Sequence, residues 1–415
     1  MQRLRSFIDY ARFKASLRAR LALDVVLALA GLALIGFGGH STVDLLGAGL
    51  SLVGALQLFR DLRQRSRKRL NVRAVENRDF ARLAERARPP EGYRKVTFGH
   101  QTYVTCDDVN RLLDKADNPL LLRPEKFEVP AQILDYLEQS VDRRAPDYNE
   151  DKVGLRTDLT PDTLRKNLPV KVQPSDYFSG IASNEMAASK IERNDDSKRL
   201  EKWTLAFAMS ALVFDEDALI RLAESKLANN IGVTSLVLTA DHHIVLQDQG
   251  TRSAVDPRCI NLGSSGSLDL QDIYDLPQAG PRQLRSLQDA LRFGMEREAA
   301  EETSAAVGAG RSATTLIGHA RYLHRGGKPE FFGITRTVSL FDELRARPSE
   351  LRFVDRIYEQ AFEPSPAGLL ASIDLLIRRC EADPARHSPS MTVCLHLARA
   401  HVERSGLNLS PLPGA

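Results

Sequence analysis

Cysteine is scarce in this chain, and its spacing argues against two kinds of small, cross-linked fold. The 415 residues include four cysteines, none of them in a C-x-x-C pair. No spacing of cysteine and histidine matches a structural zinc site, and isolated cysteines do not build a disulfide framework. We therefore expect free thiols in a reducing cytosol at all four positions, which are Cys106, Cys259, Cys380 and Cys394.

The chain also has little excess of charge of one sign, except in the N-terminal segment. The whole chain has a net charge of +3. Residues 1–73 contain thirteen Lys or Arg and four acids and therefore carry +9, which leaves −6 for residues 74–415. A nucleic-acid-binding domain normally presents a basic face, so nucleic acid is not expected as a partner. The length allows two or more domains.

Two apolar runs follow each other near the N-terminus. Residues 21–39 are broken only by Asp24, and residues 43–59 form a second run. A helix over the first run would be about 28 Å long, close to the hydrocarbon thickness of a bilayer. Basic residues precede the first run and follow the second, and none lies in the turn between them. The positive-inside rule then predicts a two-helix transmembrane hairpin with basic flanks over residues 1–73.

This hairpin would make the chain a two-pass protein of the inner or plasma membrane, with the lipid bilayer as a partner. A row of small residues, Gly47, Ser51 and Ala55, would let two helices approach closely and allows a homo-oligomer through the hairpin. Two other interpretations stay open, a soluble helical hairpin and a signal peptide cleaved near Gly38 or Gly39.

An accessory α/β region is predicted over residues 74–204. The alternation of apolar and polar residues over 93–105 predicts strand structure. Residues 130–144 predict a short helix, because three apolar residues share one face. Residues 205–229 predict another helix, at the start of a second domain that runs to residue 415.

One short string carries the clearest chemistry, Arg297-Glu298-Ala299-Ala300-Glu301-Glu302. Spacings of three and four residues bring its three carboxylates to one side of a helix. Carboxylates this close repel one another unless a cation joins them, and oxygen ligands of this kind suit Mg²⁺ or Mn²⁺. The competing interpretation is a solvated helix in which Arg297 and Glu301 form an ordinary pair four residues apart.

The elements predicted around this string have a defined order. Residues 232–249 predict a β-hairpin, residues 261–269 a Gly/Ser-rich loop, and residues 287–304 a helix. A second strand pair is predicted over residues 314–338, around a glycine-containing turn. The acidic string therefore lies on a helix between two hairpins.

Hairpin, loop, acidic helix and hairpin together resemble the Nudix hydrolase superfamily, whose signature is G-x5-E-x7-R-E-U-x-E-E-x-G-U, with U aliphatic. Ser304 stands where the signature has its last glycine. The rest of the second half is matched in register by Arg297, Glu298, Ala299, Glu301 and Glu302.

The first half of the signature departs from the family pattern. Counting strictly backwards places Gln283 at the glycine and Asp289 at the glutamate. An alternative register uses Gly266 and Asp272, which are six positions apart as the signature requires, and it needs a longer insertion before the helix. We favour the alternative, because a Gly/Ser-rich turn after the hairpin lies where the backbone must approach metal and phosphates.

The resemblance implies an α+β fold, namely a Nudix-like α/β/α sandwich with a mixed sheet, preceded here by the transmembrane hairpin and the accessory region. The Nudix-like domain would cover residues 205–415, with its motif core at 230–340. After the motif core, helices that pack on the sheet are predicted at residues 340–347, 351–362, 367–382 and 391–405.

The resemblance also implies the roles of the site residues. Glu301 and Glu302 would bind the metal, Glu298 would act as a ligand or a base, and Gly266 would join them at the metal. Arg297 would hold a glutamate in orientation through a salt bridge. The cofactor would be Mg²⁺ or Mn²⁺.

The function implied is that of a membrane-anchored Nudix-type hydrolase, a pyrophosphohydrolase with its catalytic domain in the cytoplasm. It would cleave a nucleoside diphosphate linked to another moiety with a divalent metal. A further acid often comes from a later loop, and Glu330 and Asp342 both stay open. The alternative is a catalytically impaired nucleotide sensor coupled to a transmembrane effector in bacterial defence or stress signalling. Its motive is the pairing of a short two-helix anchor with a signature altered at Ser304 and in its first half.

Overall fold

A computed structural model describes residues 72–98, 101–130, 133, 149–194, 203–251, 256–275, 286–348, 350–351 and 353–412. The strands in these residues are β1 (Val72–Glu76), β2 (Arg94–Phe98), β3 (Gln101–Thr105), β4 (Leu120–Leu122), β5 (Asp151–Leu155), β6 (Val170–Asp176), β7 (Ser189–Asn194), β8 (Trp203–Ala208), β9 (Phe214–Asp215), β10 (Ala218–Leu219), β11 (Gly232–Leu238), β12 (His243–Gln249), β13 (Ile260–Leu262), β14 (Ser265–Ser267), β15 (Ser312–Tyr322), β16 (Lys328–Thr337) and β17 (Val354–Ala361).

The α-helices are α1 (Phe80–Arg86), α2 (Asp107–Leu112), α3 (Pro161–Arg165), α4 (Tyr177–Ser183), α5 (Leu270–Asp275), α6 (Leu287–Thr303), α7 (Pro366–Ala382) and α8 (Pro389–Ser405). Short 3₁₀ turns occupy Leu113–Lys115, Met209–Leu212, Leu323–Arg325 and Phe341–Glu343.

The chain divides into two compact units. The first consists of Met1–Glu76, Pro130–Glu150 and Ser189–Ala208. Its described strands form an antiparallel sheet in the order β1-β7-β8. The second unit consists of Asn77–Val129, Asp151–Ala188 and Met209–Ala415, and it contains the acidic string.

A nine-stranded mixed sheet organises the second unit. Its strand order is β13-β12-β11-β16-β15-β3-β2, with β14 paired to β11 and β17 paired to β12. The β11–β16 pair is parallel, and the other pairs are antiparallel. The strands predicted over residues 93–105 are the β2–β3 hairpin at one edge of this sheet.

Helices cover both faces of this sheet. All seven residues of β11 are buried, as is usual for a strand enclosed between two layers. Val233 and Val237 pack on the side of α6, whereas Leu236 and Leu238 pack with residues of α7 and α8. The second unit is therefore a layered α/β/α arrangement around a mixed sheet.

A smaller sheet in the order β4-β6-β5 adjoins the beginning of β11. The β4–β6 pair is parallel and the β5–β6 pair is antiparallel. The Val153 N–H donates to the Leu268 carbonyl at 3.2 Å, and the Ile231 N–H donates to the Val153 carbonyl at 2.8 Å. These bonds hold β5 beside the loop that leads from β14 into α5.

Three of the predicted helices are confirmed and others are wrong. The helix predicted over residues 287–304 is α6. Residues 367–382 and 391–405 match α7 and α8, each opened by a serine cap and a proline in its first turn. Residues 351–362 instead contain β17, which pairs with β12 over its whole length. An exposed strand edge needs a partner, and tertiary pairing overrides a weak helical pattern.

Two further segments also differ from the predictions. Residues 340–347 contain only the 3₁₀ turn at Phe341–Glu343. Residues 205–229 contain the end of β8, the β9–β10 pair and turns instead of a helix. The helix predicted over residues 130–144 lies almost entirely outside the described residues.

The predicted transmembrane hairpin is contradicted. Crossing a bilayer takes about 20 mostly apolar residues in one helix, whereas α6, α7 and α8 have 17 residues each and include charged side chains. Within the described residues no helix is long and apolar enough to cross a membrane, and residues 21–39 and 43–59 lie outside that part of the chain. The two-pass topology, the bilayer as a partner and the membrane localisation are withdrawn, and an oligomer through the hairpin has no support.

Candidate active site

Helix α6 carries the acidic string and has a defined beginning and end. The Ser286 side chain accepts a hydrogen bond from the Asp289 N–H and caps the first turn. The residue after the last turn, Ser304, has a left-handed conformation with φ 58° and ψ 19°. Glycine adopts this conformation freely, whereas a residue with a Cβ loses roughly 1 kcal/mol or more. Ser304 therefore takes the conformation that glycine would favour at this position of the signature.

Arg297 lies among four carboxylates. Its Nε and Nη2 donate to the two oxygens of Asp272 at 2.6 and 3.0 Å, a bidentate pair. Its Nη1 donates to Glu301 at 2.8 Å, and its Nη2 lies 3.0 Å from Glu298 and 3.6 Å from Asp269. Only 18% of the Arg297 side chain is exposed. The string is therefore not a solvated face with a single pair.

The partner of Arg297 distinguishes the two registers of the signature. Asp272, from the register with Gly266, is buried, and burial raises the pKa of its carboxyl while Arg297 opposes the shift. Asp289, from the strict register, instead lies 3.7 Å from Arg292. Gln283 lies outside the described residues. The structure thus brings Asp272, and not Asp289, to the motif arginine.

Gly266 lies directly against Glu298. The β14 strand pairs with β11 so that Gly266 faces Val233. A Cβ placed on Gly266 would lie 2.1 Å from Oε1 of Glu298 and 2.5 Å from its Oε2. No side chain fits there while the Glu298 carboxylate keeps its place, so the glycine is required by a close approach.

We expect Gly266→Ala to impair the site more than the fold. The atoms that the new methyl group would meet are the flexible end of Glu298, so the carboxylate can move aside with a small change in melting temperature. A displacement of about 1 Å can reduce a rate by about 10²-fold. The check is kcat together with thermal unfolding. Gly308→Ala is the control for backbone strain, since a Cβ there meets open space but φ is +102°; it should lower the melting temperature and leave kcat unchanged. An unchanged kcat would contradict the required approach.

The negative charge of the cluster is only partly compensated. Glu298 is 8% exposed, and burial raises its pKa to about 7 although Arg297 and Lys152 attract its carboxylate. Glu302 accepts a hydrogen bond from the Ser265 N–H at 2.9 Å. Burial and the neighbouring Glu298 raise the pKa of Glu302 well above its usual value. Additional positive charge would therefore stabilise the ionised forms of both glutamates.

The two candidates for the later acid have different surroundings. Glu330 lies in β16, where Lys328 donates to it at 2.9 Å and Thr234 donates to it at 3.2 Å. Asp342 is exposed in the 3₁₀ turn after β16. Among the described residues, no hydrogen bond or ion pair joins Glu330 or Asp342 to Glu298 or Glu302.

A lysine and an aspartate complete the surroundings of Arg297, and sequence reasoning missed both. Lys152 of β5 forms an ion pair with Asp269, and the two residues are 117 positions apart. Only 8% of the Lys152 side chain is exposed. Nothing in the local sequence around Lys152 indicates a site. Lys152 lies next to Asp269 because β-sheet pairing joins distant parts of the chain.

Arg297 occupies the space between the carboxylates that were predicted to bind a metal. Within the described residues, no group of three or more His, Cys, Asp or Glu is placed to hold a metal ion. Arg297 accounts for this, since its guanidinium contacts Glu298 and Glu301, two of the predicted ligands. The assignment of Glu298, Glu301, Glu302 and Gly266 as metal-binding residues stays a prediction.

Comparison with known proteins gives distant similarity. No protein-family model matches the chain, and no curated protein is similar to it in sequence. A Deinococcus radiodurans protein of known structure is 12% identical, with a TM-score of 0.25, over 40% of this chain and 81% of that protein. The MutT protein from Methanosarcina mazei Go1 is 11% identical, with a TM-score of 0.24, over 42% and 96% of the two chains.

A third similar structure is RenU, a Nudix hydrolase from M. smegmatis. It is 12% identical to this chain, with a TM-score of 0.24, and the match covers 45% of this chain and 92% of RenU. At such identities and TM-scores the likeness does not establish a family, and the assignment depends on the site itself.

Proposed function

We propose that this chain is a Nudix-type hydrolase that cleaves a nucleoside diphosphate linked to another moiety, with Mg²⁺ or Mn²⁺ as cofactor. One observation supports this most directly. Arg297 forms a bidentate pair with Asp272. Gly266, which belongs with Asp272 to the alternative register of the signature, lies against Glu298. Both halves of the divergent signature thus come together, although 25 positions separate Asp272 from Arg297.

The residue types at the site fit a divalent cation. Carboxylates and backbone carbonyls are the oxygen ligands that Mg²⁺ and Mn²⁺ prefer. Burial raises the pKa values of Glu298 and Glu302, and neighbouring carboxylates add to the shift. Glu298, Glu301, Glu302 and the Gly266 carbonyl would hold the ion, which when bound neutralises phosphate charge and lowers the pKa of a bound water.

The chain's own residues have separate tasks in this proposal. Arg297 positions Glu298 and Glu301 through the contacts of its Nη2 and Nη1. The Ser265 N–H fixes one oxygen of Glu302. Burial raises the pKa of Glu298 to about 7 without a divalent ion. A divalent ion beside it would lower that pKa, and the ionised carboxylate would then bind the ion or act as the base that takes a proton from an attacking water.

The test is a turnover assay of the full-length chain. A panel of nucleoside diphosphates linked to sugars, nucleosides or other alcohols is incubated with Mg²⁺ or Mn²⁺, and products are followed by phosphorus NMR. We expect phosphate-containing products from at least one compound, and none after chelation of the metal. Absence of turnover with either ion would overturn the proposal. Tight nucleotide binding without turnover would favour a nucleotide sensor instead.

A further inference from the structure

A second site of interest surrounds a buried arginine, Arg156, that has no acidic partner among the described residues. Arg156 follows the last residue of β5 and is 3% exposed. The other buried arginine of the second unit, Arg321, has Asp158 at 3.7 Å. Among the described residues, Arg156 forms no ion pair. Burying a cation without a counter-charge is strongly unfavourable, so the surroundings of Arg156 require an explanation.

Neutral groups hold the Arg156 guanidinium in place and leave part of it free. Its Nε donates to Oε1 of Gln173 at 2.6 Å, and its Nη1 donates to the Ser225 carbonyl at 3.0 Å. The ring of Phe127 lies below it, 5.3 Å from the guanidinium carbon to the ring centroid. In the part of the chain that the structure describes, Nη2 has no hydrogen-bond partner. Two bonds and one ring thus fix an arginine whose third nitrogen is available.

Strand pairing brings more positive charge to the same side of the small sheet. The backbone N–H of Arg156 donates to the backbone carbonyl of Lys171, and the backbone N–H of Arg123 donates to the backbone carbonyl of Val172. Residues paired across strands project to the same side of a sheet. Arg156 and Lys171 are therefore neighbours on one side, and the register of β4 with β6 places Arg123 beside Gln173 on that side.

The electrostatics agree with this placement. Burial, and then the charge of Arg123, lower the pKa of Arg156 to about 10. Within the part of the chain that the structure describes, no carboxylate contributes to this lowering of the pKa. Two arginines that repel each other in a partly desolvated place are stabilised by an anion between them, and a guanidinium matches phosphate oxygens especially well.

We propose that Arg156 and Arg123, with the ring of Phe127 beneath, form a binding site for a phosphate group, distinct from the glutamate cluster around Arg297. The residues of the cluster, Asp269, Asp272, Glu298 and Glu301, are bound to Arg297 or Lys152, and none contacts Arg156. The site takes a phosphomonoester or diphosphate group by charge and hydrogen bonding, and Gln173 keeps the Arg156 guanidinium in position for it.

The test measures binding of inorganic phosphate and pyrophosphate to the full-length chain by calorimetry, in sodium chloride of matched ionic strength without divalent metal. We expect binding by the wild type, and at least tenfold weaker binding by Arg156→Gln. Arg165→Gln is the matched control, because Arg165 is an exposed arginine of the same region with only a 3.7 Å pair to Asp162. This control is expected to bind like the wild type.

Three further measurements make the outcome unambiguous. Glu302→Gln is expected to retain phosphate binding, so that failure of the proposed hydrolase activity and failure of this site are separable. Arg123→Gln replaces Arg156→Gln if the latter does not fold, and it is expected to weaken binding by a similar factor. Vesicles of phosphatidylcholine with and without phosphatidic acid distinguish a lipid phosphate from a soluble one. Absent binding by the wild type, or equal binding by Arg156→Gln and the control, would overturn the proposal.

Discussion

Glu302→Gln is expected to reduce metal-dependent hydrolysis by about 10²- to 10³-fold, the range seen when one preorganised electrostatic group is removed from an active site. The amide oxygen of glutamine can still accept the hydrogen bond that the Ser265 N–H now donates to the carboxylate. The shape of the site is therefore kept. What is removed is a carboxyl group next to Glu298 that can become a negatively charged ligand when a divalent cation binds, and glutamine cannot supply that charge.

Glu296→Gln is the matched control for this variant. Glu296 lies on the same helix, and it accepts a hydrogen bond from the Thr314 hydroxyl at 3.1 Å. It forms no ion pair with Arg297 or with any other cation among the described residues. We expect Glu296→Gln to retain kcat/KM within a factor of a few. Full activity of Glu302→Gln, or equal losses in both variants, would show that the glutamate cluster is not where the metal acts.

The local part of the site could be predicted from the sequence because helical spacing is a local property. Glu298, Glu301 and Glu302 share one side of α6 wherever that helix packs. The resemblance also assigned Asp272 to the signature, but it predicted a glutamate, and not Asp272, as the partner of Arg297. A Gly/Ser-rich turn after a hairpin was the feature that located Gly266 and hence Asp272.

The rest of the site depends on distant pairing and could not be predicted. Lys152 reaches Asp269 only because β5 lies beside residue 268, and no periodicity in either segment encodes that contact.

The same limit explains β17, which was predicted as a helix. Its exposed residues alternate irregularly, and its strand conformation comes from pairing with β12. The apolar runs at 21–39 and 43–59 have the length and the flanking charge that predict transmembrane helices. Neither feature identifies where those residues lie in the fold.

Arg297→Met is expected to lower the free energy of unfolding by about 3–5 kcal/mol, as when one partner is removed from a buried ion pair. Methionine fills much of the same space but leaves Asp272, which is 1% exposed, without its bidentate partner. It also leaves Glu298 and Glu301 without the cation they now share. Urea denaturation at neutral pH measures the loss. Arg292→Met is the control, because Arg292 lies on the same helix in a more exposed pair with Asp114, and we expect a loss of about 1 kcal/mol or less.

The response of Arg297→Met to metal connects its stability with the proposed function. If Glu298, Glu301 and Glu302 bind a divalent cation, Mg²⁺ or Mn²⁺ binds the folded state and stabilises it by mass action. The ion also supplies charge compensation that the variant lacks, so the metal-induced rise in melting temperature should be larger in Arg297→Met than in the wild type. If Arg297→Met does not fold, Arg297→Lys keeps the charge without the bidentate geometry and should show a smaller effect of the same sign. Equal shifts in wild type and variant would mean that the ion binds away from the carboxylates that Arg297 holds.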